Sequence, residues 1–226
     1  MNGSGAALWR RWVLANALGE MVGLGGTLAL GALVIPRLDQ LAGVTAVLLS
    51  FAVAVASGAI EATVIGLAQW YAMRPWFRAI TRRAWWLATL AGALVAYVLG
   101  YLPSTLMSLG EESGAEAMAE PPQAVVLLLA AGLGLVGGAV LSAAQWLVLR
   151  KHVAHAGWWL PANMAAWAVG MPLIFWGIDA AMLLPSPVWG VLLFAAVLLV
   201  MGALVGAIHG LALVRLAQPA AKPPAI

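Results

Sequence analysis

The chain has no cysteine among its 226 residues. That absence excludes disulfides, thiolate metal sites and cysteine nucleophiles together. Charge is scarce as well: 8% of residues are Asp, Glu, Lys or Arg against 64% hydrophobic, and the mean hydropathy is +1.00. This lies far outside the balance of a soluble globular domain. Enzyme signatures are missing too, since no metalloprotease helix motif, nucleophile elbow, phosphate loop or intramembrane aspartyl motif occurs. The chain therefore reads as non-enzymatic. The pI near 9.8 would suit nucleic acid, but the net charge is only +3 and the basic residues are scattered between apolar runs. Membrane orientation explains them better than a nucleic-acid partner does.

What the chain has in quantity is apolar sequence. Its runs are long enough to cross about 30 Å of hydrocarbon, and they predict an all-α membrane fold with helices at roughly 9–35, 43–73, 84–107, 122–149, 158–184 and 187–215. The first, third and fifth are expected to stop at Ile35-Pro36, Leu102-Pro103 and Leu184-Pro185, because proline lacks an amide hydrogen and disfavours a helical residue before it. Twelve tryptophans, most near the ends of these runs, fit an interfacial belt. Arg10-Arg11 before an apolar run imitates a signal peptide. Asn16 and Glu20 inside the run, and its likeness to later segments, favour a retained first helix.

A short string organises the whole. Gln69-Trp70-Tyr71-Ala72-Met73-Arg74 and Gln145-Trp146-Leu147-Val148-Leu149-Arg150 each close an apolar run, and each precedes a tryptophan pair, Trp85-Trp86 or Trp158-Trp159. A worn third copy spans His209 to Arg215, where the arginine alone is evident. Trp12 with Asn16 matches Trp159 with Asn163, and Trp85 with Thr89 echoes both. The pattern implies three pseudo-repeated two-helix hairpins, at about 9–74, 84–150 and 158–215, in one transmembrane domain spanning 1–226 with a flexible tail at 216–226. Gln-Trp, a hydrophobic triplet, Arg and a downstream Trp-Trp resemble a family of uncharacterised bacterial polytopic membrane proteins built from such hairpins. That resemblance covers most of the chain and implies the architecture; it brings no activity and no functional residue. Mitochondrial-type carriers also have three two-helix repeats, but the acidic residue that follows their helix-ending proline is missing after Pro36, Pro103 and Pro185. The substrate-binding subunits of energy-coupling-factor transporters match in size and helix count, without a vitamin-binding signature here.

Arg10, Arg11, Arg74, Arg78, Arg82, Arg83, Arg150, Lys151, Arg215 and Lys222 fall on one side of this arrangement. Arg37 falls on the other, with Asp39, Glu111, Glu112, Glu116, Glu120 and Asp179. The positive-inside bias then makes both termini cytoplasmic in the inner (plasma) membrane. The segment 108–121 is expected to be a flexible acidic outer loop. In 75–84, Trp76, Phe77 and Ile80 are expected to face lipid while Arg78, Arg82 and Arg83 face phosphates. Small residues recur at Gly58/Ala62/Gly66, Gly134/Gly138/Ser142 and Gly202/Gly206/Gly210, the third set displaced by one residue relative to its arginine. They predict that helices two, four and six pack around a common centre.

Chemistry is expected at Glu20 and Glu61. At about 1.5 Å per residue they lie at similar depth in adjacent antiparallel helices, with Asn16 and Ser57 on their faces. Their counterparts in the other hairpins are Ala93, Trp167, Gly137 and Gly202. Two close carboxyls would share one proton, which suits proton or cation coupling. The structural alternative is a pair of neutral acids bonded to each other or to Asn16 and Ser57. Gln69 and Gln145, with Arg74 and Arg150, are candidate contacts for lipid headgroups or a partner. His152 and His155, at i and i+3, lack a third ligand for a metal. His209 has two readings, a hydrogen bond to backbone or headgroup and ligation of a haem or chlorophyll; no cofactor is assigned. The leading expectation is a non-enzymatic component that binds a lipid, a small apolar ligand or another membrane subunit. The alternative is a small-solute or proton/cation-coupled transporter using the two glutamates.

Overall fold

The structure, a computed structural model, describes residues 3–38, 40–41, 43–112 and 121–218. Six helices carry the chain: α1 Gly3–Leu38, α2 Val44–Met73, α3 Arg82–Glu112, α4 Gln123–Leu149, α5 Trp159–Met182 and α6 Pro187–Leu216, with a 3₁₀ turn at Ala156–Trp158 before α5. All six are long and apolar enough to cross a membrane. They are apolar on every side, as spans surrounded by lipid must be. Between 17% and 33% of each most apolar window is buried within the protein, so most of that surface faces outward. Leu128, Leu183, Val188 and Val191 are among the large side chains left outside. The chain is a multi-pass membrane protein.

Two of the prolines do not stop their helices. Pro36 lies inside α1 and Pro103 inside α3, which runs on to Glu112; only Pro185 follows a helix that has ended, at Met182. In hydrocarbon a broken helix would strand more backbone groups than the single i→i−4 bond that each proline removes. The hydroxyls of Ser104 and Thr105 donate to Tyr101 O. The Arg37 guanidinium does the same for Leu33 O. Residues 108–112 of the expected outer loop are therefore helical, and 113–120 lie outside the described residues, as do Asp39, Lys222 and 219–226 of the expected tail.

Each helix packs against its neighbours in sequence, and α1 packs against α6, so the bundle is a closed ring. The expected centre formed by helices two, four and six is not there. Their small residues face the next helix around the ring instead. A methyl group added at Gly66 would lie 3.2 Å from Thr89 Cβ of α3, one at Gly138 would lie 2.7 Å from Asn163 O of α5, and one at Gly202 would lie 2.6 Å from Asn16 O of α1. Glycine is needed at the last two because backbone fills the space where a side chain would begin.

The basic end of the bundle is closed by a core of Leu8, Trp12, Met73, Trp85, Leu149, Trp159 and Leu213. Phe77 and Ile80 belong to this core rather than to the lipid surface, 4% and 3% exposed. The reason is local. The Trp70 indole donates to Ile80 O at 3.0 Å and folds the 75–81 turn under the helix ends. Arg78, Arg82 and Arg83 remain exposed.

Gly138→Ala is expected to lower stability by about 1–3 kcal/mol, the usual cost of overpacking, because the α4–α5 backbones must separate. Gly137→Ala, next in sequence but facing open space, should leave the unfolding midpoint in detergent unchanged.

Candidate functional site

Three fully buried indoles meet on the axis at the basic end. Trp12, Trp85 and Trp159 pack edge to face, with ring centroids 5.9–6.4 Å apart. Each N–H finds an acceptor on an even-numbered helix. Trp85 donates to Gln69 Oε1 at 3.3 Å, Trp159 to Gln145 Oε1 at 2.9 Å, and Trp12 to His209 Nδ1 at 2.8 Å. One turn further in, the side chains of Asn16, Thr89 and Asn163 donate back to Trp12 O, Trp85 O and Trp159 O. The amides tie the indoles together: Gln69 Nε2 donates to Asn16 Oδ1 at 2.9 Å, and Gln145 Nε2 donates to Thr89 Oγ1 at 3.0 Å and to Gln69 Oε1 at 3.3 Å.

Gln69 and Gln145 are thus inside the bundle, not at a headgroup surface, because each must accept an indole proton that hydrocarbon cannot. Arg74 and Arg150 do lie outside. Arg74 sits over the Tyr71 ring and Arg150 over the Trp146 ring, 4.1 Å and 4.6 Å from the centroids. His209 is also interior, packed against Trp12 and Trp159 and 2% exposed. It is the third acceptor, standing where the other helices have glutamine. Counted from His209, Gly202 and Gly206 fall seven and three residues earlier, as Gly138 and Ser142 do before Gln145.

Above this layer lies a chamber with about 20 Å³ of free volume, reached by Asn16, Glu20, Glu61, Gln69, Asn163 and His209. Glu20 and Glu61 lie about one turn apart in depth: a methyl group at Gly23, one turn beyond Glu20, would lie 3.0 Å from Glu61 Cα, and both acids line the chamber. The hydrogen bonds of the acids differ from expectation. Asn16 bonds Trp12 O and Gln69, and Ser57 Oγ donates to Ala54 O while Ser57 O accepts from Thr27, so neither serves an acid. Glu61 Oε2 instead accepts from the Tyr97 hydroxyl of α3. Glu20 Oε2 is buried with no hydrogen-bond partner among the described residues. Tyr97 gave little signal in the sequence, since a lone tyrosine on an apolar run resembles any other core aromatic.

A second cavity, of about 260 Å³, adjoins the chamber; Glu61, Ala93, Leu141 and Trp167 line both. Its further walls include Tyr97, Tyr101, Leu133, Gly137, Met171 and Phe175. No lysine or arginine lines either space. His152 and His155 join no group of three or more metal-ligating residues, and no such group occurs among the described residues. Chemically the arrangement offers carboxylate acceptors at the closed end of an apolar, aromatic-walled space. No family model, curated protein or solved structure matches the chain.

Trp159→Phe leaves Gln145 Oε1 without a donor and should cost about 1–3 kcal/mol more than Trp85→Phe, after which Gln69 Oε1 keeps its bond from Gln145 Nε2. Unfolding of the two variants in the same detergent measures the difference.

Proposed function

We propose that this chain is a non-enzymatic binding component of the membrane whose interior takes up a small apolar molecule. The cavity beside Glu61 and Tyr97 carries this reading. Apolar walls with few, converging polar groups are the usual form of a small-molecule site. At about 260 Å³ it is below the roughly 300–1,000 Å³ of drug-sized pockets. A compact molecule fits, whereas a whole phospholipid or a pigment ring does not. His209, occupied by the Trp12 indole, gives no support to haem or chlorophyll. The transport alternative needs a path through the basic end, which the three indoles and their surrounding core fill.

The proposal includes the finer architecture. The hairpins are three pseudo-repeats, supported by the matched bonds Trp85–Gln69, Trp159–Gln145 and Trp12–His209. This would group the chain with the polytopic proteins of the Gln-Trp-x-x-x-Arg type. The arginine-rich end faces the cytoplasm of a plasma membrane, with both termini inside. Because the chain has no native cysteine, single replacements report this directly. Glu112→Cys should react with an impermeant maleimide in intact cells, and Lys151→Cys only after the membrane is opened. The reverse pattern would overturn the orientation.

Binding is tested by native mass spectrometry of protein extracted with its own lipids. Wild type should carry a small adduct, and Gly137→Leu, which fills open space, should lose it with its melting temperature retained. A wild type that is adduct-free in every preparation would contradict the proposal.

A further inference from the structure

Glu20 is the group that the bundle leaves unexplained. Its carboxyl is 1% exposed, it faces the small chamber, and Oε2 has no partner among the described residues. Leaving a buried polar atom unpaired costs free energy that a bound donor would recover. The chamber is of the size that holds one water or a group equally small, and it adjoins the larger apolar cavity, with Glu61, Ala93, Leu141 and Trp167 common to both walls.

The two spaces together describe one ligand shape, a water-sized polar head on a compact apolar body. The charge of the head follows from the walls. Two carboxyls face the chamber and no lysine or arginine does. His209 adds no positive charge while Nδ1 accepts the Trp12 proton. Asn163, whose amide nitrogen donates to Trp159 O, also lines the chamber and has an oxygen able to accept. Trp167, which lines both spaces, adds an aromatic wall of the kind that attracts cations.

We propose that the site takes a primary ammonium ion carrying a small aryl or alkyl body, with the ammonium between Glu20 and Glu61 and the body in the cavity of Leu133, Gly137 and Phe175. Three N–H donors on one nitrogen meet Glu20 Oε2, Glu61 and Asn163, and the unpartnered oxygen is satisfied. This rests on the binding role proposed above and names its ligand class.

The test compares 2-phenylethylammonium with 2-phenylethanol, an uncharged molecule of the same heavy-atom count, by equilibrium dialysis against the full chain in nanodiscs, with empty nanodiscs subtracted. The ammonium is expected to bind at least tenfold more tightly, and Glu20→Gln and Glu61→Gln each to remove that preference. Both keep the side-chain shape, and an unchanged melting temperature shows that they have folded. Equal binding of both probes, or an ammonium preference that survives both substitutions, overturns the ammonium assignment and leaves the cavity as a neutral-ligand site. Binding of neither probe overturns the assignment and counts against the binding role as well.

Discussion

An indole N–H sealed inside a membrane bundle has no water to turn to, and each unmet backbone or side-chain donor there costs several kcal/mol. Three such indoles, Trp12, Trp85 and Trp159, converge on one axis, and the rest of the bundle is arranged around satisfying them. Gln69, Gln145 and His209 accept their protons, and Asn16, Thr89 and Asn163 brace the turns that carry them. The helices can approach closely enough for this because glycine stands where α4 meets α5 and where α6 meets α1. The aromatic layer and its polar neighbours make a rigid floor. Edge-to-face pairs of this kind add about 0.5–1.5 kcal/mol each beyond the area they bury.

Above the floor lies the cavity. Ala93, Leu141 and Trp167 line it together with Glu61, Gly137 adds an open stretch of wall, and Glu20 and Glu61 are the only charged groups among the residues that line it or the adjoining chamber.

The six spans and the meeting of Glu20 and Glu61 at one small chamber were legible from hydropathy and rise per residue alone. The identity of contacts was not. Small-residue ladders announce that a close approach occurs but carry no label for the partner, so Gly138 could be foreseen as a contact and not as a contact with Asn163. Gln69 and Gln145 stand next to interfacial Trp and Arg in sequence, yet one helical step turns them inward. His209 is hard to read because it stands six residues before Arg215, whereas Gln69 and Gln145 stand five before Arg74 and Arg150. Prolines 36 and 103 misled for a related reason. The rule that a proline ends a helix is calibrated in water, where freed carbonyls find solvent; in hydrocarbon losing one bond costs less than ending the helix.

The central claim is that an apolar space inside the bundle reaches an otherwise buried carboxyl. Reaction of the membrane-embedded protein with a small apolar carbodiimide, mapped by peptide mass spectrometry, addresses it most directly. Glu61 should be modified in wild type and protected in Gly137→Leu. Modification confined to Glu111 and Glu112, with Glu20 and Glu61 untouched in wild type, would mean that the interior is closed and that the acids are structural.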